Sequence, residues 1–407
     1  GEDASPCSTS ASDRWYVPSG ATVRGATEQL VLYNPFPDAT SVDISFATDE
    51  GGGTGVNPAL VRAPRALQGL SVPPRSLRLV PLDQLPARRS QIATTVRART
   101  GRILVDRVQL FDGTGDPLGG GEDDAEAGPT PEGLASTAAI PTTAARWLFP
   151  DAVRTAGTRT LVAVHNPSSR PAEVDVAITY QEADRFPDIE PVQLTVRAGQ
   201  QELVDLSAIA EIAEATPYTI DVRSLEGVPV VAEQLVHGAV PAAPPTTAED
   251  GATEEPPPDD EGGEAEEAPP EDDEAAEATD VEPSTGFAVV PGSPVAAEAW
   301  LLPSFTAGTR RTAQVVVANP GPDPVTVRVV GFANGRRSVL EAATVRVPAG
   351  DRRTLALADL EDNPGLLVRA SGAVVVGRSV VSEQGRGVVW ALATPLPETV
   401  RALPPLG

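Results

Sequence analysis

The chain is 407 residues long and carries 57 acidic against 31 basic residues, for a formal net charge of −26. Its length accommodates about two to four domains, and the acid excess argues against nucleic-acid binding, which needs a cationic surface. All 31 basic residues are arginines, and the absence of lysine excludes a Walker A phosphate loop, a Schiff base and a pyridoxal site.

A repeat that occurs three times organises the chain. Each copy begins with a tryptophan that has a proline three residues later, and these tryptophans are Trp15, Trp147 and Trp300. An Asn-Pro pair follows at the same distance in every copy, at residues 34–35, 166–167 and 319–320. The equal spacing indicates one structural unit repeated in tandem.

The segments around each Asn-Pro pair predict two strands joined by a turn. Short β-branched runs precede the pair, at residues 30–33, 161–164 and 315–318, and are typical of strands buried on at least one face. The segment after the pair alternates apolar and polar side chains, which predicts a half-buried strand. Because Pro fixes φ and Asn satisfies backbone groups locally, the pair itself predicts a turn.

The second half of each copy predicts further strands. One strand ends in a turn, and residues 77–79, 202–204 and 355–357 open the next. The second copy then predicts a short helix over residues 207–215. A hairpin is expected after that, with its turn at Gly101, Gly227 or Gly372. Six to seven strands per copy without a long helix are typical of an antiparallel β-sandwich.

Two low-complexity tracts, about 113–132 and about 239–285, interrupt the repeat. Their composition buries too little apolar surface to fold, and the second tract holds seventeen of the acidic residues, so we expect disorder. Residues 133–140 and 286–290 resemble the last strand of the third copy, at 387–395. We therefore expect the tracts to be expanded hairpin loops inside a copy, since loop closure costs little extra as length grows. The alternative is that they are linkers between domains.

The predicted fold class is all-β, with three tandem antiparallel β-sandwich repeats that carry these disordered acidic hairpin-loop insertions. The expected organisation is a flexible N-terminal segment 1–13, repeats at 14–145, 146–298 and 299–397, and a C-terminal tail 398–407.

Residue types that serve catalysis or metal binding are scarce. The chain has two histidines, His165 and His237, and one cysteine, Cys7, which cannot build a structural zinc site. His165 could serve a catalytic triad. However, it occupies the position of Tyr33 and Ala318 in the other copies, which favours a strand end that tolerates different residue types. We expect no catalytic residue, no cofactor and no metal site.

Two recurring rows of side chains are the candidate contacts with a ligand or between repeats. The first row is Trp15, Trp147 and Trp300. Packing in a core or between domains is its simpler interpretation, and stacking on sugars is the alternative. The second row is Arg97, Arg223 and Arg369. Since Asp106 and Glu233 lie across the expected hairpin turn, cross-strand ion pairing is the simpler interpretation of this row. Arginines that recognise a ligand are the alternative.

The order of motifs resembles the repeat of a secreted actinobacterial family of uncharacterised function. The motifs are Trp-x-x-Pro, the apolar strand, Asn-Pro, Val-Pro-Ala-Gly, Leu-x-Asp-Leu, Val-Arg and Val-Val-Val, and they cover nearly all of the chain outside the tracts and the first thirteen residues. The resemblance implies immunoglobulin-like sandwich repeats in a protein that is exported or anchored at its N terminus. It supplies no catalytic motif. Family repeats often carry Glu-Arg after Val-Val-Val, where this chain has Asp106-Arg107, Glu233-Gln234 and Gly377-Arg378.

The leading hypothesis is a non-enzymatic extracellular or cell-surface protein that acts as a scaffold, spacer or protein-binding element of the envelope. Its partners would be envelope proteins or surface polysaccharide, and it would meet the membrane only through an N-terminal anchor absent from this chain. The alternative is a carbohydrate-binding accessory protein of envelope polysaccharide assembly. A hydrolase that uses His165 is a third hypothesis. The sequence alone does not determine the oligomeric state.

Overall fold

The computed structural model describes residues 2–4, 10–48, 63–83, 85, 88–114, 131–155, 157–182, 185–238, 286–303, 311–333, 336–356, 365–382 and 388–403. Over these residues the chain is all-β, with several antiparallel sheets that are consistent with tandem β-sandwich domains. The fold class is confirmed at that level. Most of the tract 113–132 and all of the tract 239–285 lie outside the described residues.

Nine strands occupy the N-terminal third: β1 (Glu2–Ala4), β2 (Arg14–Val17), β3 (Ala26–Asn34), β4 (Thr40–Thr48), β5 (Leu70–Val72), β6 (Ser76–Pro81), β7 (Ile92–Thr100), β8 (Leu104–Asp112) and β9 (Glu132–Ala138). They form two sheets. One has the order β2-β7-β4-β5 and contains Trp15, and we call it the tryptophan sheet. The other has the order β1-β9-β8-β3-β6 and contains Asn34, and we call it the asparagine sheet.

The second copy repeats this arrangement with β10 (Arg146–Val153), β11 (Thr158–His165), β12 (Ala172–Tyr180), β13 (Val192–Val196), β14 (Gln201–Asp205), β15 (Pro217–Ser224), β16 (Val231–Gly238) and β17 (Phe287–Pro291). Its tryptophan sheet has the order β10-β15-β12-β13, and its asparagine sheet has the order β14-β11-β16-β17. Residues 287–291 thus pair with β16, as residues 132–138 pair with β8. Both segments belong to the sheet of the copy that precedes them.

The third copy contains β18 (Val295–Leu302), β19 (Arg311–Ala318), β20 (Val325–Ala333), β21 (Arg336–Val347), β22 (Arg352–Ala356), β23 (Gly365–Ser382), β24 (Val388–Leu392), β25 (Thr394–Pro395) and β26 (Val400–Ala402). The long β23 pairs with β18 and β20 through its first part and with β19 and β24 through its last part. It therefore joins the tryptophan and asparagine sheets, which repeat the strand order of the other copies.

The predicted hairpins are wrong. Strands β7 and β8 lie in different sheets, as do β15 and β16, so the chain crosses between sheets at this point. Gly101 and Gly227 make the crossing with positive φ values of 70° and 69°, a conformation that glycine adopts without a Cβ clash. Gly372 instead lies within β23. Period-two alternation shows which face a side chain takes, but not which strand it pairs with.

Three local expectations also differ from the structure. Residues 207–215 form successive turns around Ile212, which is buried in the core, rather than a helix. Glu2–Ala4, expected to be flexible, pairs in parallel with the open edge of β9. The expected C-terminal tail contains β26, which pairs with β18. Edge strands offer unpaired backbone groups, and this explains both additions.

Consecutive copies pack directly against each other. The outer face of the second asparagine sheet meets the first copy through an apolar cluster that includes Phe111, Leu235 and Phe287. We call this contact the first junction. At the second junction, between the second and third copies, Trp390 packs against Val236 and Val290.

Candidate functional site

The tryptophan row belongs to the core. Trp15, Trp147 and Trp300 are at most 1% exposed. Each indole N–H donates to a backbone carbonyl near the crossing between sheets, at Ile103, Val230 and Val374, over 2.9 Å in all three copies. Trp390 is also buried. No tryptophan of the chain therefore offers an exposed ring for stacking on a sugar.

Each Asn-Pro pair builds the same buried clamp. Asn34 Nδ2 donates to the carbonyls of Asp38, Val72 and Pro73, and its Oδ1 accepts from the backbone N–H of Phe36. Asn166 and Asn319 repeat this pattern one and two copies later. The amide thus fixes the Asn-Pro turn against a second turn of the same copy. In the second and third copies these two turns form one wall of a cleft at the junction.

The first-junction cleft has a volume of about 440 Å³. Its floor is the outer face of the first tryptophan sheet, with Arg14, Thr95 and Arg97, and its wall is formed by the two turns at residues 167–169 and 198–199. None of the described residues that line the cleft is acidic. The cleft is therefore a cationic surface between two copies of an otherwise acidic chain.

The two arginines of this cleft lie near one described carboxylate, Asp43, which is opposite Arg97 across β4 and β7. Arg14 and Arg97 are neighbours across β2 and β7, and neither forms an ion pair within the described part of the chain. The nearby Asp43 is already engaged, since Arg99 Nη2 lies 2.7 Å from its Oδ1. Hydrogen bonding from Arg99 lowers the pKa of Asp43. Asp43 thus remains ionised and bound to Arg99.

His165 borders the cleft as a neutral side chain. Burial lowers its pKa to about 4, against a smaller opposite effect of its hydrogen bond to Gln200. Its Nδ1 lies 3.0 Å from the Gln200 carbonyl and so carries the proton. Nε2 is then left as an acceptor, 3.4 Å from Thr95 Oγ1. The described residues of the cleft lining place no carboxylate beside His165 that would complete a triad.

The second-junction cleft has the same construction, but a carboxylate of the same copy binds its two arginines. Arg146 and Arg223 are cross-strand neighbours, as Arg14 and Arg97 are. The buried Asp221 stands where the first copy has Thr95, and it binds both arginines. Arg146 Nη2 lies 2.7 Å and Arg223 Nη2 lies 2.6 Å from Asp221 Oδ2. The remaining volume is about 90 Å³.

The third member of the arginine row has a different setting. Arg369 is exposed on β23, and its neighbour on β18 is Ala299, at the position of Arg14 and Arg146. The predicted cross-strand ion pairs of this row are wrong. Arg97 and Asp106 lie on strands of different sheets, while Arg223 binds Asp221 and Glu233 binds Arg107.

A second polar group is buried at the first junction. Arg107 Nη1 lies 3.1 Å from Glu233 Oε1 across the junction and 2.6 Å from the Ser19 carbonyl, and the Ser19 hydroxyl donates to Glu233. The fully buried Glu28 lies beside this pair. Burial raises its pKa to about 8, while Arg107 lowers and Glu233 raises the value. Glu28 is therefore mostly protonated at neutral pH. His237 is also buried at this junction, between Phe111 and Phe287.

The second junction holds its own buried ion pair. Arg352 Nη2 lies 2.8 Å from Asp151 Oδ1, and Arg352 is 1% exposed. Burial lowers the pKa of Arg352, and Asp151 opposes that shift.

Among the described residues, no group of three or more His, Cys, Asp or Glu side chains is placed to hold a metal ion. In the same residues we found no helix with the length and apolar character needed to cross a membrane.

The repeat pattern identifies Arg97 and Arg223, whereas their neighbours Arg14 and Arg146 were not predicted. Arg14 and Arg146 each precede the repeat tryptophan, and that shared position is visible in the sequence. The exchange of Thr95 for Asp221 can also be read by aligning the copies. The wall of the cleft could not be found in this way, because it belongs to the next copy.

The fold and its junctions define a modular all-β protein with several antiparallel sheets and buried polar contacts between successive copies. The chain belongs to the family described as "Family of unknown function (DUF5719)", whose profile matches it twice, over residues 1–146 and 112–234.

A search of curated proteins found no match. Among solved structures, the chain is similar to a point mutant of the major pilin from Streptococcus pyogenes at 8% identity and a TM-score of 0.15, over 92% of this chain and 99% of the pilin. It is similar to Streptomyces avermitilis alpha-L-rhamnosidase complexed with L-rhamnose at 10% identity and a TM-score of 0.13, over 93% of this chain and 46% of that protein.

Proposed function

We propose that this chain is a non-enzymatic protein of the cell surface or extracellular space that works as a scaffold and protein-binding element of the envelope. In this proposal three tandem immunoglobulin-like sandwich repeats form the scaffold, and the acidic tracts are loops within the first and second repeats. The extracellular location rests on the resemblance of the repeat to a secreted family. The protein-binding role rests on one surface of the first copy.

That surface is the outer face of the first asparagine sheet. Four large apolar side chains there are 42–56% exposed: Tyr33, Leu77, Leu79 and Leu110. Tyr33 pairs with Leu77 across β3 and β6, and Leu79 lies beside Val31. Adjacent exposed apolar residues on one sheet face are typical of an interaction surface.

The other copies indicate what such a face binds. His165 and Ala318 occupy the position of Tyr33, while Arg352 occupies that of Leu77. All three are at most 3% exposed, and the corresponding faces pack against the preceding copy. The equivalent face of the first copy therefore has the shape to receive the strand end of another sandwich module.

Charge narrows the choice of partner. Glu233 of the second copy forms an ion pair with Arg107 of the preceding copy. Asp106 holds the position of Glu233 in the first copy. Asp106 is half-buried, and burial raises its pKa. We therefore infer a partner envelope protein whose sandwich module presents apolar residues and one arginine to this face. The burial of all four tryptophans weakens the support for the carbohydrate-binding alternative, because none of them offers an exposed ring for stacking on a sugar.

A photo-crosslinking amino acid at position 79, introduced in the cells that produce the protein, tests the proposal. We expect one adduct with an exported protein that contains a β-sandwich module, and we expect Leu77→Glu to abolish it. The same crosslinker at position 225 is the matched control, since Leu225 is 57% exposed on a turn elsewhere.

Three results would contradict the proposal. The first is an equal set of adducts from both positions. The second is an adduct only with another copy of this chain, which would replace the envelope partner by self-association. The third is recovery of the protein from the cytoplasmic fraction alone.

A further inference from the structure

We propose that the first-junction cleft binds a side-chain carboxylate of an acidic peptide between Arg14 and Arg97, with the hydroxyl-bearing turn of the second copy as the opposite wall. The inference goes beyond the proposed function, because the cleft lies on the tryptophan sheet and the apolar docking face lies on the asparagine sheet.

The second junction shows the chemistry that this pair of arginines accepts. There, one carboxylate lies between the two guanidinium groups: Arg146 contacts both oxygens of Asp221 through Nε, at 3.1 and 3.2 Å, and Arg223 contacts Oδ2. Such charge-assisted contacts match the planar fork of arginine to a planar carboxylate. The protein therefore supplies an internal ligand at the second junction.

The first junction keeps the arginines but lacks that ligand. Thr95 stands in place of the aspartate and supplies no carboxylate, and the first-junction cleft has a volume of about 440 Å³ against about 90 Å³ at the second junction. Thr95 directs its hydroxyl to His165 Nε2, so it does not satisfy either guanidinium. Arg14 and Arg97 thus remain cationic groups on the floor of an open cleft in which none of the described lining residues is acidic.

The size and lining of the cleft favour a peptide over a small ion. The second-junction cleft, in which Asp221 binds both arginines, has about 90 Å³ of space, whereas the first-junction cleft of about 440 Å³ also has room for neighbouring backbone. Ser169 on the wall can donate to a peptide carbonyl, whereas the Ser168 hydroxyl already donates to the Arg170 carbonyl. The buried Tyr16 contributes an apolar part of the floor. A small inorganic anion would leave most of this surface unused.

Isothermal titration of the full chain with acetylated hexaglutamate tests the proposal. Matched arms use hexaglutamine and inorganic phosphate. We expect the glutamate peptide to bind at one site, with an affinity that falls as salt screens the charges. The glutamine peptide should bind at least about tenfold more weakly, since each lost charge-assisted contact corresponds to about one order of magnitude in affinity. Phosphate should bind more weakly than the glutamate peptide because it keeps the charge but leaves the wall of the cleft without a contact.

Variants assign the binding to this cleft. Arg14→Ala and Arg97→Ala should each weaken binding about tenfold, and Thr95→Asp should abolish it by supplying the internal ligand. Arg369→Ala removes the same charge at the same repeat position in the third copy, so it should bind like the unmodified protein.

Circular dichroism and thermal unfolding confirm that each variant is folded before titration. Equal binding of both peptides, unchanged binding by Thr95→Asp, or an equal loss in Arg369→Ala would overturn the proposal. Tighter binding of phosphate than of the peptide would replace the peptide carboxylate by an inorganic anion and would also overturn it.

Discussion

The two junctions use the same backbone surfaces but opposite arrangements of charge. In each, residues just after the repeat tryptophan contact the outer face of the next asparagine sheet. At the first junction the carboxylate is on that face, at Glu233, and meets Arg107 and Ser19 of the preceding copy. At the second, the cation is on the face, at Arg352, and the carboxylate is Asp151, four residues after its tryptophan as Ser19 is.

Because of this difference, the buried charge of each strand end is complementary only to the asparagine sheet that follows it. If the strand end that carries Asp151 met the face that carries Glu233, two carboxylates would be buried together. Juxtaposed like charges of this kind cost several kcal/mol. The sheets supply a common docking geometry, and the buried charges specify the order in which the copies pack.

Asp151→Asn should have the largest effect, because it leaves Arg352 buried without its ion-pair partner. Removal of one member of a buried pair typically lowers the free energy of unfolding by about 3–5 kcal/mol. The nearby Asp351 cannot replace it without losing Arg353, which lies 2.6 Å from its Oδ2. Urea unfolding monitored by tryptophan fluorescence measures the loss.

Glu233→Gln is the matched variant at the first junction and should cost less, about 1 kcal/mol. Glu28 lies beside Arg107, and it can ionise there once Glu233 is neutral. Since Glu233 raises the pKa of Glu28, this pKa should also fall in the variant. Equal losses in Glu233→Gln and Asp151→Asn would show that Glu28 does not act as a reserve carboxylate.

Glu28→Gln should stabilise the first junction, with an effect that depends on pH. The pKa of Glu28 rises from 4.5 to about 8 on folding. Between these values the folded protein retains a proton that the unfolded chain releases, so stability falls as pH rises through this window. At pH 7 the variant should gain about 3 kcal/mol, because a neutral amide avoids the cost of protonating the carboxylate.

Urea unfolding from pH 4 to pH 9 checks this prediction. The difference between the variant and the unmodified protein should be small at pH 4, grow as pH rises, and level off above about pH 8. A difference that stays constant with pH would show that Glu28 has an ordinary pKa in the folded chain.

The sequence predicted what depends on local pattern and missed what depends on which strands meet. The strands around Asn34, Asn166 and Asn319 were predicted, because β-branched runs, alternation and Asn-Pro turns are local signals. The second role of these asparagines, as clamps on a distant turn, needs the three-dimensional fold. The false hairpins have the same origin, since a strand that stays in one sheet and a strand that crosses to the other can share one alternation pattern.

The candidate site divides in the same way. Arg97 and Arg223 were found as a repeated position, and Arg14, Arg146 and Asp221 were within reach of the same comparison. That Thr95 faces His165 from the next copy could not be read from either residue, because the contact depends on how two copies pack. The error about Asp106 and Arg97 followed directly from the wrong sheet assignment.

The last prediction concerns the histidine that borders the first-junction cleft. Thr95→Asp places a carboxylate opposite His165 Nε2, which now faces the Thr95 hydroxyl at 3.4 Å. A nearby negative charge favours the imidazolium, so the pKa of His165 should rise from about 4 by about one unit.

The two histidines of the chain make this shift measurable by NMR titration of the imidazole resonances. His237 is the internal reference, because burial lowers its pKa to about 3 and its ring packs between Phe111 and Phe287. If both histidines shifted equally, the substitution would have disturbed the whole junction. If neither shifted, the new carboxylate would bind Arg14 and Arg97 without facing His165. Asp221 is bound in this way at the second junction, where Ala318 holds the position of His165. The two arginines of the first-junction cleft would still be neutralised by a carboxylate of the chain.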